Sequence, residues 1–244
     1  MRIEKLNFAY GEKRIFTDLS LDMPNGVTCI MGGSGAGKTT LLNCISRQLV
    51  YDGNIIFDNI ANECKDGNEV RGVDLAYVFQ HPRLIPSMSV EDNIKFVLPR
   101  NLSKEQIQSK VDDIIAKLQI EECRKSYPNK ISGGQASRVS LARALVTDSN
   151  ILLLDEPFKG LDIKLKKDII NLLIPLIENK IVVFVTHDVE EALAIADRLF
   201  VFERKEGEAV SVKGYLDIEQ NQKDRDIYSE QLNDVRKQIY ELLT

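Results

Sequence analysis

Residues 27–45, VTCIMGGSGAGKTTLLNCI, join an apolar run to a glycine-rich turn and then to a segment with Leu41, Leu42 and Ile45 on one face. A run without alternation fits a strand covered on both faces, and the turn after it fits the start of a helix. Two more runs share this form: ILLLD (151–155) and IVVFVTH (181–187), each followed by a polar or glycine-bearing segment and a helical pattern. The repeated order of strand, loop and helix predicts an α/β fold with a mostly parallel, doubly wound sheet. Ligands of such sheets sit beyond the carboxyl ends of the strands, which directs attention to GGSGAGKTT, DEP and TH.

The remaining segments predict two additions to this core. IFTDLSLDM (15–23) alternates, while GNIIFDN (53–59) and DLAYVFQ (74–80) are short, β-rich and bounded by turn residues. Together they predict an N-terminal antiparallel β layer laid against the core. From about 84 to 147 the pattern is helical. Ser103 and Gln106 form a capping box, and Ile107, Val111, Ile114, Ile115 and Leu118 follow at helical spacing, so a helical subdomain is inserted there. Residues 163–179 are helical too, with Pro175 expected to bend or end the helix. Tyr228, Leu232, Val235, Ile239 and Leu242 mark one face of a final amphipathic helix. With no internal repeat and no low-complexity linker, residues 1–244 read as a single domain.

Composition narrows the function. A formal charge of −5 leaves no basic footprint and argues against a nucleic-acid partner. No apolar run approaches the roughly 20 residues that span a bilayer. MRIEKLNFAYGEKR lacks the apolar stretch of a secretory signal. Cys29, Cys44, Cys64 and Cys123 show no CxxC spacing, which argues against a thiolate metal site or a disulfide framework and for a reduced, cytosolic chain.

GGSGAGKT fits G-x-x-x-x-G-K-[ST] in the required context of strand before and helix after. Gly32, Gly33, Ser34, Gly35, Ala36 and Gly37 would wrap a phosphate so that consecutive N–H groups point at its oxygens. Lys38 would reach the β- and γ-phosphates, Thr39 would bind Mg²⁺, and Thr40 could add a contact to an outer phosphate. In ILLLDEP, Asp155 would hold Mg²⁺ through water, and Glu156 would lie near the γ-phosphate, where a carboxylate polarises an attacking water.

A second anion-binding turn follows in NKISGGQASR (129–138). Ser132 and Gln135 match a capping box, which accounts for them but not for Gly133 and Gly134. A glycine inside a helix costs up to about 1 kcal/mol relative to alanine, so two together indicate close approach to the backbone. SGGQ itself holds no lysine, with Lys130 lying before it, and the first loop already serves the chain's own nucleotide. The economical assignment is the γ-phosphate of ATP bound to a second copy.

GGSGAGKTT, ISGGQ and ILLLDEP, in this order, resemble the signature of the ATP-binding-cassette ATPases over roughly residues 1–205. The resemblance implies ATP and Mg²⁺ as ligands and two cassettes, most simply a homodimer, sandwiching two ATP. It implies that Tyr10, 22 residues before Gly32, stacks on adenine, and that Gln80 senses Mg²⁺ and the γ-phosphate. It further places Asp162 in a loop crossing the dimer interface and His187 against the γ-phosphate, where it helps position water. Four positions depart or vary. Ile131 replaces a leucine, Lys159-Gly160 stands where small residues such as Ser-Ala are common, and His81 reads as surface or coupling-site decoration.

Only 52 residues separate Gln80 from Ser132, too few for the coiled-coil insertion of repair cassettes, and there is one cassette instead of a tandem pair. The expectation is therefore an importer ATPase, peripheral on the cytoplasmic face of the cell membrane. It would dock on a separate integral membrane permease served by a solute-binding protein. FQHPRLIPSMSVEDNI and DEPFKGLD are similar to the nitrate, sulfonate and taurine importer branch, without the tryptophan that the branch often places near Ser87 or Met88. The alternative is a soluble non-transport cassette ATPase associated with repair or translation.

Overall fold

The chain opens with a hairpin of β1 (Arg2–Tyr10) and β2 (Lys13–Asp22), then enters β3 (Gly26–Gly32), the VTCIM strand, which runs through the glycine-rich turn into α1 (Lys38–Ile45). The structure is a computed structural model that describes residues 1–57, 74–222, 225–226 and 229–244. β4 (Asp52–Ile56) pairs antiparallel with β1, completing a three-stranded sheet in the order β2-β1-β4. This is the expected antiparallel layer, although the end of GNIIFDN lies outside the described residues. The expected inserted helices are α2 (Val90–Lys95), α3 (Lys104–Lys117) and α4 (Gly133–Leu145), reached after β5 (Leu75–Val78).

DLAYVFQ requires a correction. It was expected in the antiparallel layer, but β5 pairs in parallel with β6 (Ile151–Asp155), matching Leu75 to Ile151 and Val78 to Leu154. The six-stranded sheet runs β5-β6-β7-β3-β8-β9, with β7 (Ile181–Val185), β8 (Arg198–Glu203) and β9 (Ser211–Asp217). β5 is its edge, and Ala76 and Val78 are buried while Leu75 and Tyr77 are half-buried. That edge alternation imitates a half-solvated antiparallel strand.

The central strands are apolar throughout because each face of the sheet meets its own core. Leu152, Leu154, Val182 and Phe184 pack towards the helical side, whereas Ile151, Leu153, Ile181 and Val183 pack towards the small sheet and α1. α5 (Ile163–Ile177) and α6 (Val189–Ile195) follow β6 and β7, and Pro175 lies inside α5, which ends two residues beyond it. α7 (Glu230–Leu243) buries Leu232 and Ile239 with Val235 and Leu242 beside them, and Tyr228 of the expected face lies outside the described residues. Cys29, Cys44 and Cys123 are buried free thiols, and Cys64 lies outside the described residues.

The helices between β5 and β6 are organised by charge as well as by apolar packing. Ser103 and Gln106 close the capping box read from the sequence, and Val111, Ile114, Ile115 and Leu118 are buried. On α2 the Glu91 side chain is only 3% exposed, yet it meets Arg124 at 2.9 Å, Lys95 at 2.7 Å and also Lys125. The Arg124 guanidinium foremost, against the desolvation of the site and with help from Lys125, Lys95 and Gln108, holds the Glu91 carboxyl well below the usual carboxylate range. The backbone joins the same pieces, since Val90 N donates to Ser126 O and Glu91 N to Arg124 O.

A carboxyl with a folded pKa below its unfolded one stabilises fully above the unfolded value, about 4.3, and loses that contribution as pH falls towards the folded one. Glu91→Gln is therefore expected to cost about 1.5–3 kcal/mol at pH 7, the range for hydrogen bonds to a charged group. The difference from the unaltered chain should shrink on acidification below about pH 4. Urea denaturation across that pH range checks both statements.

Candidate functional site

The parallel register brings the ends of β3, β6 and β7 into one row, and the residues beyond them line a cavity of about 490 Å³. Its walls include Tyr10, the Gly32–Thr40 turn, Gln80, Asp155, Glu156 and His187. At Gly32 φ is +143°, and a Cβ there would sit 2.2 Å from the Phe202 carbonyl oxygen, so the strand cannot leave the sheet at this point with any side chain. Gly37, with φ +80°, precedes α1 without a side-chain cap, and a Cβ on it would meet Val210 at 2.8 Å. The first amides of α1 thus have no capping side chain beside them, an arrangement suited to an anion.

Lys38 Nζ folds back to donate to the carbonyls of Gly32 at 2.7 Å and Gly33 at 2.8 Å, closing the cradle on itself. Burial pushes its pKa below the ordinary lysine value, against the opposing pull of Glu156 and Asp155. Thr39 Oγ1 donates to Asp155 Oδ2 at 2.7 Å, the contact that ties α1 to β6. Asp155 is 2% exposed, and burial raises its pKa despite that hydrogen bond.

Glu156 adopts φ +47°, uncommon for a residue with a side chain, while its N–H donates to Val185 O at 2.9 Å. The turn sends the carboxylate into a ring of donors. Gln80 Nε2 reaches Oε2 at 3.0 Å, Lys159 Nζ reaches the same oxygen at 3.2 Å, and His187 Nδ1 lies 3.2 Å from Oε1. Burial works to raise the pKa of Glu156, but these donors outweigh it and hold the carboxyl below its ordinary value. Tyr10 sits at the rim, half exposed and edge-on to Phe8.

The second turn stands apart from this cavity. Ser132 Oγ accepts from Gln135 N at 3.2 Å, and Ser132 N donates to Gln135 Oε1 at 2.8 Å, so the capping box is complete. A Cβ on Gly133 would meet nothing within 4 Å, and one on Gly134 would make only ordinary contacts with Gly160 and Leu161. Neither glycine is demanded by the chain's own packing. Asp162 caps α5 by accepting from Leu165 N at 3.0 Å and also lies outside the cavity. The structure thus unites Tyr10, residues 32 and 34–40, Gln80, Asp155, Glu156 and His187, and separates Ser132, Gly133, Gly134, Gln135 and Asp162 from them.

Sequence reasoning missed Lys13, Ile15 and Arg204, which also line the cavity. Arg204 directly follows β8, so the strand-end rule that found His187 could have found it. Lys13 arrives only through the hairpin register that sets it opposite Tyr10.

Comparison with known proteins decides the family. A family model described as ABC transporter matches residues 16–159, more than half of the chain. The chain belongs to the ABC transporter family. A Neisseria meningitidis relative named sulfate/thiosulfate import ATP-binding protein CysA is 40% identical over 208 residues, 82% of this chain and 57% of the relative. The Fe(3+) ions import ATP-binding protein FbpC of Fusobacterium nucleatum is 38% identical over 214 residues, 85% of this chain and 56% of the relative. The chain therefore spans little more than half the length of these ABC relatives. Among solved structures, a dimeric post-hydrolysis state of the ATP-binding cassette MJ0796 bound to ADP and Pi superposes with a TM-score of 0.76 at 29% identity, covering 90% of this chain and 99% of that one. The cbiO1 protein from Clostridium perfringens, part of the ABC transporter complex cbiONQ, gives 0.68 at 27% identity, covering 99% and 96%.

The cradle generates a paired prediction. Gly32→Ala should lower stability by more than the roughly 1–3 kcal/mol of backbone strain alone, because its Cβ also meets the Phe202 carbonyl oxygen, whereas Gly33→Ala, with open space around the added methyl, should change it far less. Thermal unfolding of the two variants side by side reads the contrast.

Proposed function

We propose that the chain is the ATP-binding and ATP-hydrolysing subunit of an importer, working as a pair of identical cassettes that closes around two ATP. The observation that carries this reading is the division of the site. Cradle, buried aspartate and hydrogen-bonded glutamate share one cavity, while a capped helix start with two glycines that its own subunit does not need lies outside it.

Tyr10 offers its ring to adenine, and the amides of the Gly32–Thr40 turn bind phosphate oxygens. Lys38 gives up two carbonyl partners to reach the β- and γ-phosphates. Glu156, whose ionised form Gln80 and His187 stabilise, orients the attacking water and polarises its O–H bond. His187, with its side chain 69% exposed, is free to turn towards the terminal phosphate. The far side of that phosphate is supplied by Ser132, Gly133, Gly134 and Gln135 of the second copy, with Asp162 in the loop between them.

Among the described residues no group of three His, Cys, Asp or Glu side chains could hold a metal alone. The Thr39–Asp155 pair, with the Gln80 amide, fits Mg²⁺, which takes few protein oxygens and completes its shell with water and phosphate. When bound, Mg²⁺ would neutralise charge on the β- and γ-phosphates.

No helix of the described residues is long and apolar enough to cross a membrane, and the proposed transport works through an integral membrane permease. The names of the relatives, which specify sulfate/thiosulfate and Fe(3+) import, support an importer and do not single out the nitrate, sulfonate and taurine branch. A cavity of about 590 Å³ lined by Tyr77, Val97, Leu102 and Arg143, on the strand that leads to Gln80, offers the permease a seat at the membrane's cytoplasmic face. The solute and its binding protein meet the permease, not this chain.

Two variants test the division. Glu156→Gln should bind ATP and dimerise on it, while hydrolysis falls by about 100-fold or more, the scale of a lost general base. Ser132→Arg should keep the ATP affinity of the monomer and lose ATP-dependent dimerisation, read by light scattering on a sizing column. Robust turnover in the first variant, or undiminished dimerisation in the second, defeats the shared-site reading.

A further inference from the structure

Lys159 stands against the carboxylate on which the proposed chemistry depends. It lies three residues beyond Glu156, and its N–H donates to Glu156 O at 3.2 Å, so one tight turn returns the ammonium to its own starting residue. Phe158, fully buried and edge-on to Phe184 at 5.9 Å, anchors that turn from within. The Lys159 side chain is 53% exposed and does not line the nucleotide cavity. It therefore draws on Glu156 from the flank, away from where a terminal phosphate would lie.

The carboxylate is crowded as a result. An ionised carboxylate has about four lone-pair sites. Gln80 and Lys159 both reach Oε2, and His187 reaches Oε1. The amide and imidazole belong to residues that serve the same phosphate, whereas Lys159 does not. Its pull competes with any water that Glu156 must hold.

The next residue shows what could release it. Gly160, with φ +78°, places its carbonyl oxygen 3.5 Å from where a Cβ on Gly134 would stand, and Leu161 Cδ2 lies 3.6 Å from the same point. The loop carrying Lys159 thus lies beside the Ser132–Gln135 turn of its own subunit. Asp162 then fixes its far end by capping α5.

We propose that Lys159 is a positioning residue that restrains Glu156 until the Ser132–Gln135 turn of the same subunit engages the second copy's nucleotide. Movement at Gly134 shifts Gly160, and Gly160 carries Lys159 off the carboxylate. Each subunit's base is thereby freed by the occupancy of its partner's cradle. The inference rests on the shared-site ATPase reading and extends it to a device within one chain.

Lys159→Ser and Lys159→Arg test it in the full chain, through steady-state hydrolysis over a range of MgATP concentrations and equilibrium titration with a fluorescent ATP analogue. In Lys159→Ser, kcat should rise about two- to fivefold, the range that a half-exposed ion pair can hold back. Its Hill coefficient for ATP should fall towards one while analogue affinity is unchanged. Lys159→Arg should behave as the unaltered chain. A kcat that stays level or drops in Lys159→Ser, or a Hill coefficient that does not move, overturns the restraint and leaves the ATPase reading standing. Absence of hydrolysis by the unaltered chain sinks that reading, and the restraint with it.

Discussion

The parallel register of β3, β7 and β6 is the constraint on which the site depends. Asp155 is in register with Val185, and Val185 with Ile30, so the residues after each strand emerge at one level. The glycine turn, the Asp155-Glu156 pair and His187 are far apart in sequence and meet only because three apolar strands are held flush. Two cores clamp those strands, one on each face, and alternate side chains of a single strand serve both. A one-residue slip would exchange the two sets and misplace every end residue. The strained turn at Glu156 belongs to this arrangement. Its N–H is tied to Val185 O, so the register itself holds the carboxylate in its uncommon conformation.

The loop that carries His187 is steadied from behind by charge. Lys166, one turn into α5 from Asp162, meets Asp188 at 2.7 Å and the buried Glu191 at 2.6 Å. Thr186 Oγ1 donates to Glu191 Oε2 at 2.5 Å and accepts from Asp188 N at 3.0 Å, so both neighbours of His187 are bound while its ring faces Glu156. The C-terminal segment reinforces α6 at both ends. The Arg225 side chain, 1% exposed, donates to the carbonyls of Leu193 and Ala196, the groups a helix end leaves without partners. Arg236 grips Glu190 in the first turn with contacts of 2.8 and 2.9 Å. The final helix therefore supports the element that leads away from His187, which its amphipathic pattern alone does not reveal.

What the sequence disclosed follows the range of the interactions involved. The three central strands, the phosphate turn and both capping boxes are local patterns of apolarity, glycine and side-chain oxygen, and each is present as read. DLAYVFQ was misplaced because its four strand residues carry edge alternation, and their partner, ILLLD, lies some seventy residues away. Lys13 and Arg204 reach the cavity through pairing and packing that no short window contains. Lys159 was visible as a departure from a family habit, but its contact with Glu156 depends on the tight turn at Phe158.

On the proposed reading, half a site is a sensible thing for one chain to carry. A cradle complete within a monomer would surround the terminal phosphate on every side and tie hydrolysis to binding alone. Here the cradle's lysine is satisfied by its own carbonyls, and the glutamate's partners Gln80 and His187 line the same cavity. The second turn presents its backbone outward, with open space around Gly133. Each copy bears a net charge of −5, which opposes the pairing of two copies at long range. On the proposed reading, the free energy of pairing is drawn from phosphate contacts shared across the interface. Cleaving the terminal phosphate removes those contacts, and the same event that releases energy from ATP reopens the pair.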